Sequence, residues 1–184
     1  MRRYLPFRGA AFAAILLASG LAGCGGSRSA ESGSGIVAEF RVPGGPKQEV
    51  NRIIAGSREA SAEEREAASR ALEESLDARA DGDWAGQCKT LAKKLVEIAE
   101  ENGSPFPGAH TNCAKNLEKA AEEAPPAVLA NRMNGPIAAL RLVGSRQAFA
   151  FFHGVGGKDY LIPMEEEDGE WVVDSLAPEE IPDS

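Results

Sequence analysis

Apolar residues recur at helical spacing over the middle of the chain. Ser61 and Glu64 have the spacing of a capping box, which predicts a helix from 62 to about 80. A second helix is predicted from 84 to 101, because its apolar residues follow one another at intervals of four and three. A third helix is predicted from about 111 to 123, after a loop rich in proline and glycine.

The apolar period changes to two near residue 137, which is typical of strands. Strands are predicted over 137–143, 146–153, 158–164 and 170–176. Glycine-containing turns separate the first three, and an acidic turn from Glu165 to Gly169 precedes the last. Short turns between consecutive strands predict an antiparallel meander.

This order of elements predicts an α+β fold. Three N-terminal helices are expected to pack on a curved, cone-like, four-stranded antiparallel meander. We place this domain at 59–178, after a tether and arm at 24–58 and before a short tail at 179–184. Within the arm, Glu49 to Ala55 is predicted to form one or two helical turns.

Both faces of the second predicted strand are apolar. Phe149 and Phe151 alternate with Ala148, Ala150 and Phe152. Only one of these faces can lie under the three helices. The other face is therefore expected to line a pocket or a dimer interface.

The first 24 residues have a different pattern. Arginines at positions 2, 3 and 8 precede an apolar run of 13 residues from Ala10 to Ala22. A membrane-spanning helix needs about 20 such residues, so the run is typical of an export signal. It ends in Leu21-Ala22-Gly23-Cys24, which resembles the lipobox of bacterial lipoproteins. A plain signal peptide with an incidental cysteine is the alternative.

The lipobox resemblance implies where the protein is located. In that family a lipid is attached to the cysteine sulfur and the preceding peptide is removed. Here this implies a lipid on Cys24, removal of 1–23, and a mature protein held on the extracytoplasmic side of the cell membrane. The glycine- and serine-rich residues 25–35 have the composition of a flexible tether.

The charge of the chain excludes one class of partner. The formal net charge is −8, from 20 basic and 28 acidic residues. Three of the basic residues and none of the acidic ones lie in 1–23, so the chain from Cys24 carries −11. Binding to nucleic acid needs a basic face, and we expect none. Contact with the membrane is expected through the lipid alone.

Cys88 and Cys113 are expected to form a disulfide. Both lie on apolar stripes of predicted helices, and an exported protein occupies a compartment in which disulfides persist. Two buried free thiols are the alternative. With only two histidines, His110 and His153, and no close cysteine pair, a zinc site is not expected. We expect no metal and no cofactor.

The order of elements also resembles a known fold family. A helix, the sequence DGDW at 81–84, further helices, and strands ending in EDGEWVVDSL at 167–176 are similar to nuclear-transport-factor-two-like domains. These cystatin-like cones include ketosteroid isomerases and exported actinobacterial lipoproteins with no assigned function. The resemblance spans about 60–178 and implies a fold, since one fold hosts many functions.

The isomerases of this family use an acidic base with acidic or phenolic donors inside the cone. The corresponding candidates here are Tyr160, His153 and Asp174, with Asp159 beside the histidine. No two of them stand out as a base and an oxyanion donor, so we assign no catalytic residue.

Three functions therefore remain open from the sequence. The first is a small-ligand-binding or protein-interaction module, with an apolar molecule or a second copy of the chain as partner. The second is an isomerase-like or hydrolase-like enzyme that uses the cone pocket. The third is a structural envelope lipoprotein without a ligand.

Overall fold

The computed structural model describes residues 40, 49–102 and 112–182. Of the tether and arm predicted at 24–58, only Phe40 and the residues from Glu49 onward are among them. The helices are α1 (Glu49–Gly56), α2 (Ala62–Asp81), α3 (Trp84–Thr90), α4 (Lys93–Asn102), α5 (Cys113–Glu123) and α6 (Pro126–Leu129). The strands are β1 (Arg58–Glu59), β2 (Ala139–Val143), β3 (Gln147–His153), β4 (Asp159–Glu167), β5 (Glu170–Val173) and β6 (Glu179–Glu180).

The strands form one antiparallel sheet, which confirms the α+β class. Strands β1 to β5 neighbour one another in chain order, and β6 pairs with β4. The predicted acidic turn is wrong over most of its length, because Glu165 to Glu167 continue β4 and pair with β5. The turn itself is Asp168-Gly169, where φ is 54° and 86°. Two consecutive positive φ angles suit a two-residue hairpin turn, whose twist matches that of the strands.

Helix α2 has the ends that its sequence predicts. The Ser61 side chain accepts a hydrogen bond from the Glu64 N–H at 3.1 Å, and the Glu64 carboxylate accepts one from the Ser61 N–H at 2.7 Å. The bond to the Ser61 backbone lowers the pKa of Glu64. At the other end, Gly82 takes the left-handed conformation that stops a helix, with φ at 71°.

The single helix predicted over 84–101 is wrong, because two residues divide it into α3 and α4. Leu91 is extended and forms a parallel bridge with Val173 of β5. The Ala92 N–H then donates to the Val173 carbonyl at 2.9 Å. Leu91 and Ala92 are both buried. This segment therefore covers the edge of β5 and supplies a hydrogen-bond donor to one of its backbone carbonyls.

The main core lies between the helices and one face of the sheet. Leu72 and Leu76 of α2 pack there with Phe152, Ile162 and Val173 of the sheet, and all five are at most 2% exposed. Residues two apart on a strand, or four apart on a helix, lie on the same face, so these apolar side chains form a single layer.

The opposite face of the sheet is covered by residues of the predicted arm. Ile53 and Ile54 of α1 and the side chain of Phe40 pack on Phe151, which is fully buried. Arg141 of β2 fixes α1 there by donating to the Ile54 carbonyl at 3.0 Å. The chain itself covers most of this second apolar face of β3, and the partly buried Phe149 lines a space of about 380 Å³ there with Ile53 and Leu161.

The predicted C-terminal tail contributes to the same layer. Glu179 and Glu180 form β6, which pairs with Leu161 and Tyr160 of β4. Ile181 is buried against the α1 side of the sheet. The residues that follow β5 therefore continue along the same edge of β4, where β3 does not pair.

Candidate functional site

The structure separates the residues considered as catalytic candidates. The His153 Nδ1 lies 2.7 Å from an Asp159 carboxylate oxygen, and the His153 ring stacks on Phe40 with centroids 5.4 Å apart. The Tyr160 ring stacks on Phe152 at 5.5 Å, among the residues that pack under the helices. Because successive residues of a strand face opposite sides of a sheet, Tyr160 and the His153–Asp159 pair lie on opposite faces.

Asp174 lies in a third environment, at the end of β5. Its carboxylate accepts a hydrogen bond from the Lys94 ammonium at 2.7 Å, and Glu165 lies 3.3 Å from the same nitrogen. The bond to Asp174, reinforced by Glu165, raises the pKa of Lys94 above its ordinary value. Asp174 therefore serves an ion pair that joins α4 to the sheet. The candidate side chains do not converge on one cavity.

Cys24, the residue predicted to carry the lipid, lies outside the described residues, so lipid attachment remains a prediction. Within 49–102 and 112–182, none of the helices is long and apolar enough to cross a membrane. The same residues contain no group of three or more histidine, cysteine or acidic side chains that could hold a metal ion.

The two internal cysteines form the predicted disulfide. Cys88 of α3 is bonded to Cys113, the first residue of α5, with Cα atoms 6.3 Å apart. Asn112 fixes the start of α5, because its side chain accepts hydrogen bonds from the N–H groups of Ala114 and Lys115. The disulfide therefore holds α5 against α3 at a defined position.

An apolar groove runs along the surface between α4 and α5, with a volume of about 310 Å³. Ile98 and Leu176 lie on it and are 49% and 44% exposed, although both are large apolar residues. We call this the α4–α5 groove. Its lining residues are Leu95, Ile98, Ala99, Asn116, Leu117, Lys119, Ala120, Glu123 and Leu176.

A smaller cavity of about 160 Å³ lies beside the groove, between α3, α5 and α6. It shares Leu117, Ala120 and Leu176 with the groove, so the same three side chains form walls of both spaces. Its other lining residues are Arg79, Trp84, Gln87, Ala121, Ala124, Val128, Leu129 and Ala177. We call it the arginine cavity, because Arg79 is its only lining residue with a charged side chain.

Arg79 is 4% exposed and lies in the last turn of α2. Its two terminal nitrogens donate to the Leu176 carbonyl at 3.1 Å and to the Asn131 carbonyl at 3.4 Å. Its Nε is buried without a hydrogen-bond partner. Within the described part of the chain no carboxylate forms an ion pair with Arg79. Burial lowers the pKa of Arg79 from its ordinary value.

The energetics make this arginine unusual. Removing an ion from water costs several kcal/mol. The negative end of α2 offsets only about 0.3–1 kcal/mol of that cost. The two carbonyls offset more, but the bond of 3.4 Å lies beyond the ordinary range for a hydrogen bond. Buried charges in proteins are usually paired with an opposite charge, so an anion is the partner that the charge of Arg79 lacks.

Two other spaces beside the β4–β5 hairpin are less suited to a ligand. They measure about 380 and 590 Å³ and are lined by charged side chains of both signs. Lys93, for example, pairs with Asp168 at 2.5 Å. Charged side chains are six of the ten lining residues of the smaller depression and four of the ten of the larger one, whereas they are two of the nine that line the groove.

Reasoning from the sequence missed both the groove and Arg79. The apolar stripe of α2 places Leu72 and Leu76 in the core, and the next position of that stripe is Arg79. An arginine on a buried stripe is a signal that could have identified the cavity. Comparisons with protein-family models, with curated proteins and with solved structures found no match for this chain.

Proposed function

We propose that the protein is a lipid-anchored extracytoplasmic binding protein, and that it holds a small apolar ligand in the α4–α5 groove. The observation that carries this proposal is the exposure of Ile98 and Leu176 on a groove with a second cavity beside it. Ligand sites are typically concave and apolar, with a few polar groups, and measure about 300–1,000 Å³. The groove meets this description.

We also propose that the scaffold is a cone of the nuclear-transport-factor-two-like type. Support comes from the long α2 packed on one face of a sequential antiparallel meander. The two sequences that carry the resemblance, DGDW and EDGEWVVDSL, fall at the junction of α2 with α3 and in and after the β4–β5 hairpin. An experimental structure with a flat sheet would contradict this assignment.

The binding proposal is tested by placing a charge in the groove. Ile98→Glu should weaken binding of the neutral fluorescent probe N-phenyl-1-naphthylamine by about tenfold or more, because an unpaired carboxylate is costly in an apolar site. Val155→Glu is the matched control, since Val155 is 62% exposed and lies in the β3–β4 turn, away from the groove.

Two results would count against a small-ligand site. Equal probe binding by the wild type and the Ile98→Glu variant would remove the groove as the site. A wild-type dimer that Ile98→Glu converts to a monomer would identify the groove as an interface between copies of the chain.

The anchor is tested separately, by labelling cells with a radioactive fatty acid. Cys24→Ser should abolish incorporation into the protein, because the lipid is joined through the cysteine sulfur. Ser29→Ala, in the same tether, should leave incorporation unchanged. Labelling that persists in the Cys24→Ser variant would contradict the lipobox assignment.

A further inference from the structure

The arginine cavity contains a cation whose hydrogen-bonding capacity is only partly used. A guanidinium has five N–H donors and no acceptor, and it stays charged at all physiological pH values. Two carbonyls accept from Arg79, and its Nε has no partner. Within the described residues the site therefore has a fixed positive charge and donors left over for an anion.

The position of the cavity relates this charge to the groove. Leu117, Ala120 and Leu176 form walls of both spaces. Trp84 and Leu129 add further apolar wall on the arginine side. A molecule with its polar end beside Arg79 would extend its apolar part past these shared residues and along α4.

We propose that the ligand is a single-chain amphiphile with a carboxylate head, and that Arg79 binds this head while the α4–α5 groove holds the chain. This inference rests on the proposed binding function of the groove. Planar carboxylates match the paired donors of a guanidinium. One carboxylate also balances the single charge of the cavity, whereas a phosphate group would bring more negative charge than Arg79 can neutralise.

The size of the cavity supports a small head group. An apolar cavity of about 150 Å³ is known to admit one benzene molecule, and the arginine cavity is of similar volume at about 160 Å³. It can hold a carboxylate and the first few methylene groups. The remainder of the chain requires the groove, which is about twice as large.

The test compares dodecanoate with its uncharged methyl ester, both displacing N-phenyl-1-naphthylamine from the full-length chain. We expect dodecanoate to bind between about ten and about a hundred times more tightly, because hydrogen bonds to charged groups are the stronger class. This comparison needs no variant, so a folding defect cannot obscure it. Equal affinities would overturn the carboxylate assignment, and so would tighter binding of dodecyl phosphate.

Variants then assign the preference to one residue. Arg79→Met should lower the affinity for dodecanoate to that of the ester, with probe binding retained. Arg132→Met is the matched control, because Arg132 is a partly exposed arginine that pairs with Asp77 and Asp81. A preference for dodecanoate that survives in a folded Arg79→Met protein would overturn the role of Arg79.

The two proposals can fail separately. Probe binding that is sensitive to Ile98→Glu, without any preference for a carboxylate, would leave the binding function in place and overturn only the inference about the head group. Absence of any binding by the folded chain would overturn both.

Discussion

Reducing the Cys88–Cys113 disulfide should destabilise the protein by about 3.5 kcal/mol. The two cysteines are 25 residues apart, and the chain-entropy model of loop closure gives this value for a loop of that length. The cost arises because the reduced unfolded chain regains conformations that the cross-link forbids. The native contacts of α3 and α5 are unchanged, so the loss should appear mainly in the unfolded state.

Replacing both cysteines by alanine adds a packing loss to this entropic one. Cys113 is 5% exposed and belongs to the core under the helices. Removing its sulfur deletes a buried group comparable to one methylene, which is worth about 0.8 kcal/mol. The double alanine variant should therefore be less stable than the reduced wild-type protein, in which both sulfurs remain.

The measurement is unfolding in urea, followed by the fluorescence of Trp84 and Trp171, with and without reductant. A Cys24→Ser background ensures that reduction frees only the two internal thiols, which are counted chemically. With slopes of about 1–3 kcal/mol per molar urea, a loss of 3.5 kcal/mol moves the midpoint down by about 1–3.5 M.

Two results would refute this reasoning. A shift below about 0.5 M in fully reduced protein corresponds to at most about 1.5 kcal/mol, which is too little for a loop of this length. A reduced wild-type protein less stable than the double alanine variant would show that the thiols disturb the native state.

Two further predictions concern the sheet and its ion pairs. Gly154→Ala should cost about 1–3 kcal/mol in urea unfolding, because the new Cβ would lie 2.4 Å from a Tyr160 ring carbon, whereas Gly56→Ala has open space and should not destabilise. Lys94→Met should destabilise the protein at pH 8 relative to wild type. Because the folded-state pKa of Lys94 is raised, its contribution is complete below the ordinary pKa of lysine and disappears as the pH rises through the folded value, so the difference between the two proteins should shrink as the pH rises above the ordinary pKa of lysine. A difference that does not shrink with rising pH would contradict the ion pair, and Lys115→Met, at an exposed position on α5, is the control for a general effect of lost charge.

The sequence alone predicted those elements whose ends are determined by residues close to them in the chain. The capping pair of Ser61 and Glu64 and the stop at Gly82 fixed α2 within a residue or two. The period of two located β2 to β5, although the run Glu165 to Glu167 reads as a turn by composition. Its pairing with β5 overrides that composition, because a hairpin with a two-residue turn keeps both strands hydrogen-bonded up to Asp168.

The division of the second helix depends on distant residues. Leu91 and Ala92 leave the helical conformation because Val173, about 80 positions later, presents a strand edge that needs a partner. The stripe that contains Leu91 has a perfect helical spacing, so no local rule could have placed a break there. Tertiary hydrogen bonding outweighs helix propensity, which amounts to less than about 1 kcal/mol per ordinary residue.

The same break accounts for the groove. A continuous helix would have carried the stripe through Leu95 and Ile98 on the face set by Trp84. With α4 beginning again at Lys93, Leu95 packs against the core while Ile98 remains half exposed on the groove. The exposed isoleucine is therefore a consequence of covering the edge of β5.

Ile98 is an apolar residue at an exposed position, and Arg79 is the reverse case. It is a charged residue at a position on the α2 stripe where an apolar residue is expected. A leucine at this position would remove the cost of burying an ion. The chain instead retains a buried cation beside the shared walls Leu117 and Leu176. If Arg79 had only a packing role, Arg79→Leu should raise the stability of the empty protein and leave ligand selection unchanged. If it selects a carboxylate, the same substitution should raise stability and abolish the selection, which is the trade-off expected of a binding site.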